Sequence, residues 1–245
     1  MKKHELAAAL AFTVLAFAPS ARGGPPDPPA AVELELGRSV ADRPIVARAW
    51  GSGPDTALVI ASIHGSEPAG TPLVERFEQW LAEHPDALAG RRLVVVPIAN
   101  PDGYANRERF NSNGVDLNRN FPADNRTEHR RHGPTALSEP ESAGLMRLLR
   151  THPPQRVLSI HQPIACVDYD GPAEALANTI STAIAGRLPV KQIGSRPGSL
   201  GSYVGVTLGV PIITLELPEH AEDDPEKLWR DYRGALEAFV KGAAP

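Results

Sequence analysis

The 245-residue sequence contains a single cysteine, Cys166, so no intrachain disulfide can form and stability has to come from a packed core. Neither sign of charge dominates. There are 25 Lys and Arg against 29 Asp and Glu, a net charge of -4, and no dense basic cluster runs along any helical face. This excludes the electrostatic footprint of a nucleic-acid or anionic-membrane partner and points to a small one. Long apolar runs are also missing, apart from Leu6 to Ala18 near the start, which falls short of the roughly 20 residues that a spanning helix needs. Lys2 and Lys3 precede that run, and the small residues Ala18, Ser20 and Ala21 close it, the layout of a cleaved export signal. We therefore expect a signal peptide over residues 1–20, a periplasmic or secreted protein, and no membrane anchor after cleavage. The Pro-rich "GGPPDPPAA" then reads as an extended linker over 21–31, ahead of a single domain over 32–245.

Within that domain the apolar residues come in short runs. Strands are expected at Val32–Leu36, Ile45–Trp50, Ala57–Ile63, Arg92–Ala99, Arg156–Ile160 and Val210–Leu217. The run "ALVIASI" from Ala57 has no polar alternation, as in a central strand covered on both faces. Helical spacing appears between them. Leu73, Val74, Phe77, Trp80 and Leu81 share one face after Pro68, and the helix should end near His84. "SEPE" predicts a capping box, with Ser138 and Glu141 closing the start of a helix whose stripe is Leu145, Met146, Leu148 and Leu149. Further helices are expected over 172–188 and 224–240. Strands alternating with helices imply an α/β fold: one mixed, mostly parallel twisted sheet with helices on both faces.

One segment fits neither element. "NPDGYANRERFNSNGVDLNRNFP", from Asn100 to Pro122, is too polar and too rich in Pro and Gly for a strand or an amphipathic helix, and Asn100–Gly103 reads as a turn. In open α/β sheets ligands sit beyond the carboxyl ends of strands, so the residues just past each strand are the ones to weigh. The "HGSE" turn offers His64 and Glu67, "HQP" offers His161, and "TLELPE" offers Glu216. Two imidazoles and a carboxylate are a common donor set for catalytic zinc, and Gly65 would ease the tight turn between the first two; a purely structural loop is the competing reading. Glu216 lies inside an apolar strand, where a carboxylate is costly unless a cation or hydrogen bonds meet it. An ion-paired edge position is its alternative. His129 and His132 stand among Arg126, Arg130 and Arg131, whose charges disfavour a cation, so a solvated loop is expected there.

In that order, "HGSE", the Asn100–Pro122 loop, "SIHQP" and "TLELP" resemble the zinc carboxypeptidase family. With "GPTALSEPES" they are most similar to its short bacterial branch, which includes the murein peptide amidases that cut between γ-D-glutamate and meso-diaminopimelate. The resemblance implies a zinc carboxypeptidase-like fold and one Zn2+ held by His64, Glu67 and His161. It also implies that Glu216 acts as general base and proton carrier toward a zinc-activated water. Arg109 is then expected to polarise the scissile carbonyl, with Asn118 and Arg119 holding the substrate's terminal carboxylate and Asp116 and Asn120 pinning the loop. The implied partner is a small, cell-wall-derived peptide. The mobile Tyr of larger relatives has no counterpart, since Ile193 and Gly194 stand where it is expected and Tyr203 lies on the wrong side of Gly198–Ser199. Asp168 could meet the side-chain amine of diaminopimelate, with Arg196 near its second carboxylate; equally, Asp168 and Asp170 could be turn residues before Gly171–Pro172. Two other functions fit the sequence. One is an N-acyl amino acid deacylase resembling succinylglutamate desuccinylase or aspartoacylase, and the other a non-catalytic peptide-binding protein.

Overall fold

The "ALVIASI" run becomes the middle of a seven-stranded sheet in the computed structural model, which describes residues 31–242. The expected signal and nearly all of the linker lie outside the described residues. In chain order the strands are β1 (Val32–Arg38), β2 (Pro44–Gly51), β3 (Asp55–Ala61), β4 (Arg91–Val96), β5 (Arg156–His161), β6 (Ile164–Asp170) and β7 (Ile212–Pro218). The helices are α1 (Gly70–Glu83), α2 (Pro101–Asn106), α3 (Pro140–Thr151), α4 (Glu174–Ala183) and α5 (Pro225–Lys241). Across the sheet the strands run β1-β2-β4-β3-β5-β7-β6. Neighbours β4, β3, β5 and β7 are parallel, whereas β2 and β6 run against them. Among the described residues no helix is long and apolar enough to cross a membrane.

Strand alternation divides the core into two layers. From β3, Ala57, Val59 and Ala61 pack with Leu73, Phe77 and Leu81 of α1, and with α4 and α5. Leu58 and Ile60 turn the other way, toward Leu145, Met146 and Leu149 of α3 and toward Leu117 and Phe121 of the polar loop. Helices thus cover both faces, as the sequence predicts. The second layer is covered partly by loop rather than helix, and that loop brings the site's side chains over the strand ends.

Four local expectations need correction. The capping box does not form: α3 starts at Pro140, the Ser138 hydroxyl donates to Glu139 at 2.8 Å and accepts from Asn120, and Glu141 instead accepts from Val40 N–H and Asn111. Asn100–Gly103 is the first turn of helix α2 rather than a simple turn, with Pro101 at its start and Asn100 Oδ1 accepting from Gly103 N–H at 2.9 Å. Helix α4 stops at Ala183, short of the expected 188, where Ala185 and Gly186 take left-handed backbone angles. Finally, Asp168 and Asp170 lie not in a turn but on β6, the antiparallel edge strand.

Candidate active site

His64 and Glu67 emerge from the turn after β3, and the turn closes through Glu67 N–H to His64 carbonyl at 3.1 Å. Gly65 matters there because a Cβ would sit 1.9 Å from the Gly103 carbonyl carbon, so the turn rests directly on the backbone of α2. The β4 chain continues past its strand, with Asn100 N–H donating to Ser62 carbonyl at 3.0 Å, which delivers the polar loop beside that turn. His161 ends β5, and its register partner on β7 is Glu216, so the two side chains leave neighbouring strands side by side.

The two imidazoles converge on the Glu67 carboxylate. His64 Nδ1 lies 2.9 Å from Oε1 and His161 Nδ1 lies 2.7 Å from Oε2. All three residues are buried, and each offers a donor atom within 4.8 Å of the others. His64 Nδ1 finds no hydrogen-bond partner despite that short approach. Its other nitrogen, Nε2, meets Asp116 Oδ1 at 2.9 Å. Burial favours the neutral form of Asp116, but His64 and Arg109 outweigh it and hold the carboxyl well below the usual range, so it accepts and Nε2–H donates. Burial opposes the charge of the His64 imidazole, but Asp116 and Glu67 raise it above its ordinary value, and with Nε2–H given to Asp116 the proton to be displaced by a cation is the one on Nδ1. Glu67 behaves likewise: burial opposes its charge, yet His161 and His64 keep it ionised. A buried nitrogen without a hydrogen-bond partner, a second imidazole and an ionised carboxylate fit a divalent cation of zinc's ligand preference, with Asp116 orienting one ligand from behind.

Around this centre lies a cleft of about 300 Å³. Arg109, Asn118, Arg119, Asp168 and Glu216 all line it with the three donors, so the structure brings every expected site residue together. Arg109 reaches Glu67 Oε1 at 2.9 Å and Asp116 Oδ2 at 3.1 Å and remains partly exposed. Asn118 Oδ1 accepts from Leu200 N–H at 2.9 Å, and its Nδ2 lies 3.5 Å from His161 Nε2. Arg119 donates to the Asn118 carbonyl at 2.5 Å. Burial lowers the Arg119 guanidinium; Asp116 opposes this, while Arg109 and Arg196 add to it, so an anion would be welcome there. Burial raises the Glu216 carboxyl; His161 opposes that shift and Glu67 adds to it. Asn120 pins the loop as expected, donating to the His132 and Thr135 carbonyls. Tyr203 does not line the cleft; it stacks on Phe121 at 6.5 Å, whereas Ile193 and Gly194 do line it.

Residues 27–170 match the description of zinc carboxypeptidase. The chain belongs to the zinc carboxypeptidase family. It is 32% identical over 210 residues to murein peptide amidase A of Escherichia coli K12, covering 77% of this chain and 82% of that protein. Against murein peptide amidase A of Vibrio campbellii the identity is 30% over 185 residues, covering 68% and 71%. The crystal structure of murein-tripeptide amidase from Escherichia coli O157 superposes with a TM-score of 0.68 and 26% identity, over 95% of this chain and 100% of that one. Carboxypeptidase A of Helicoverpa armigera shares the fold, with a TM-score of 0.71 at 19% identity over 87% of this chain and 68% of that one. The protein is a family hydrolase with a His-Glu-His group suited to zinc.

Two contributions to the site exceed the expectations. Asp116 does more than pin the loop, since it grips the His64 imidazole and Arg109 at once. It is the only acid between Glu108 and Asp124, and a ligating His needs a partner for its second nitrogen, so the signal was present. Gln162 is the other: its Oε1 accepts from Ala69 N–H at 2.9 Å and its Nε2 donates to Glu222 at 2.9 Å, bracing the residue next to His161. No local pattern marks it.

Proposed function

We propose that this chain is an exported, zinc-dependent amidase that removes a carboxylate-bearing terminal residue from a small peptide, cutting the γ-D-glutamyl to meso-diaminopimelate bond of murein peptides. The observation that carries the chemistry is the convergence of His64, Glu67 and His161 within 4.8 Å, with Glu216 on the strand beside His161. The choice of substrate rests on similarity to murein peptide amidases along most of the chain.

His64, Glu67 and His161 would hold the zinc, which, when bound, acidifies a water and polarises a carbonyl. Glu216 takes a proton from the attacking water and hands it to the leaving amine as the C–N bond breaks. Burial, which raises its carboxyl, suits it to accept that proton near neutral pH. Arg109 offers N–H donors to the oxyanion that forms, and its ties to Glu67 and Asp116 hold it in place before the substrate arrives. Arg119, crowded by other cations, takes the terminal carboxylate, and Asn118, anchored by Leu200, flanks it.

The test is mass spectrometry of muropeptides incubated with the protein, with and without a chelator. Loss of a diaminopimelate unit only in the chelator-free sample supports the reading. Cleavage confined to N-succinyl-glutamate would instead establish the deacylase.

A further inference from the structure

The ladders on either side of β5 end just where the site begins. Ala61 with Ile160 is the last register pair between β3 and β5, and His161 with Glu216 the last between β5 and β7. Past those pairs the sheet no longer ties the turn that carries Glu67, or the end of β7, to the β5 chain. Gln162 stands at that point and is only 8% exposed. Its Oε1 accepts from Ala69 N–H at 2.9 Å, and its Nε2 donates to the Pro218 carbonyl at 3.2 Å and to the Glu222 carboxylate at 2.9 Å. Ala69 N–H can only donate and a carbonyl can only accept, so the orientation of the amide is fixed.

The three contacts bridge strands that do not touch. In the sheet β5 separates β3 from β7, so the spacing of Glu67 and Glu216 has to be set across it. Ala69 lies two residues past Glu67 and Pro218 two past Glu216, and one side chain grips both. The Gln162 backbone N–H also reaches Glu67 Oε2 itself, at 3.4 Å. Glu222, in the short turn Ala221–Asp223, holds the amide from outside. An amide is what this position requires. A carboxylate would turn like charge toward Glu222 and an acceptor toward the Pro218 carbonyl, and asparagine would stop one methylene short, about 1.5 Å.

We infer that Gln162 is a positioning residue for hydrolysis: it sets the separation between the Glu67 carboxylate and the Glu216 carboxylate, and Glu222 acts through it. The part that concerns Glu216 rests on the amidase mechanism proposed above, whereas the part that concerns Glu67 rests on the donor set alone. A displacement of about 1 Å between groups that must act on one water costs about 10²-fold in rate, so a clamp at this point has a large effect.

The experiment uses the full chain with Gln162→Met, which keeps the length and removes the three side-chain bonds, and Glu222→Ala, which removes one of them. In Gln162→Met, zinc affinity by chelator competition should fall about 10- to 100-fold, and the visible absorption of the Co2+-loaded protein should change. At saturating zinc, kcat on L-alanyl-γ-D-glutamyl-meso-diaminopimelate should fall about 10²-fold with KM little changed. Glu222→Ala should move the same readouts less, and the double variant should be no worse than Gln162→Met alone. Additive losses would overturn the link from Glu222. A brace that merely supports the fold would lower the melting temperature of the apo and zinc forms alike. If zinc affinity, cobalt spectrum and kcat then stay at wild-type values, the inference is overturned. Should Gln162→Met fail to fold, Glu222→Ala carries the test, and wild-type values of all three readouts in it overturn the inference. No hydrolysis by zinc-loaded wild type overturns the amidase reading instead, and zinc affinity and cobalt spectrum still judge the hold on Glu67.

Discussion

His64 Nε2 and Asp116 Oδ1, fifty-two residues apart in the chain, meet at 2.9 Å, and the same carboxylate takes Arg109 on its other oxygen at 3.1 Å. One acid thereby holds both the His64 imidazole, a candidate metal donor, and the Arg109 guanidinium, to which the proposed mechanism gives the oxyanion. Asp116→Asn should keep the shape and lose the charge. Metal affinity, measured by competition with a chromophoric chelator, should fall about 10- to 100-fold. An unchanged affinity would show that the Asp116 contact does not orient His64.

In the proposed mechanism Glu216 acts on the reacting water and is not a metal donor. Glu216→Gln should therefore retain stoichiometric zinc by elemental analysis while kcat falls at least about 10²- to 10⁴-fold, the range for losing a general acid-base group. Loss of zinc together with activity would place Glu216 among the ligands instead.

Chelation should abolish hydrolysis, and added zinc should restore it. The apo protein should also unfold at lower temperature, because a ligand that binds only the native state stabilises it by mass action. A melting temperature unmoved by zinc would argue against the His64, Glu67 and His161 site.

Gly65 and Gly103 touch backbone to backbone, so Gly65→Ala must push the turn that carries His64 and Glu67 off α2. A destabilisation of about 1–3 kcal/mol is expected, as for overpacking a filled core, and zinc affinity should fall with it. Urea titration and metal analysis read the two effects.

Asp102 is almost fully buried and gathers the Ser39 hydroxyl at 2.7 Å, Ala41 N–H at 2.9 Å, Arg43 at 2.8 Å and the Ser112 hydroxyl at 3.0 Å, tying the loop after β1 to α2. Burial opposes its charge, but these hydrogen bonds outweigh it and hold the carboxyl below its ordinary 3.8. A depressed acid contributes stability that is fully present above the unfolded value and lost as pH falls through the folded one. Asp102→Asn should cost about 1–3 kcal/mol at pH 7, and the gap from wild type should close below about pH 4.

Short apolar runs bounded by Gly, Pro and polar turns were enough to determine the α/β class and six of the seven strands, because burial on both faces leaves few other ways to write a central strand. The donor types at three strand ends were equally legible: His64, Glu67, His161 and Glu216 are costly residues for such positions, so each announces a function. Strand β6 was not legible. In "IACVDYD" the side that faces the cleft carries Asp168 and Asp170, so the usual polar-outside pattern is inverted and reads as a turn. The capping box failed for a related reason, since Asn120 and Glu139 captured Ser138 through contacts that local sequence does not encode. Only the tertiary structure decided which atoms meet: His64 with Asp116, His161 beside Glu216, Asp168 level with Thr214 at the sheet edge. Those meetings depend on strand order and register, which are set by packing of the whole sheet, whereas residue type and periodicity act within a few neighbours along the chain.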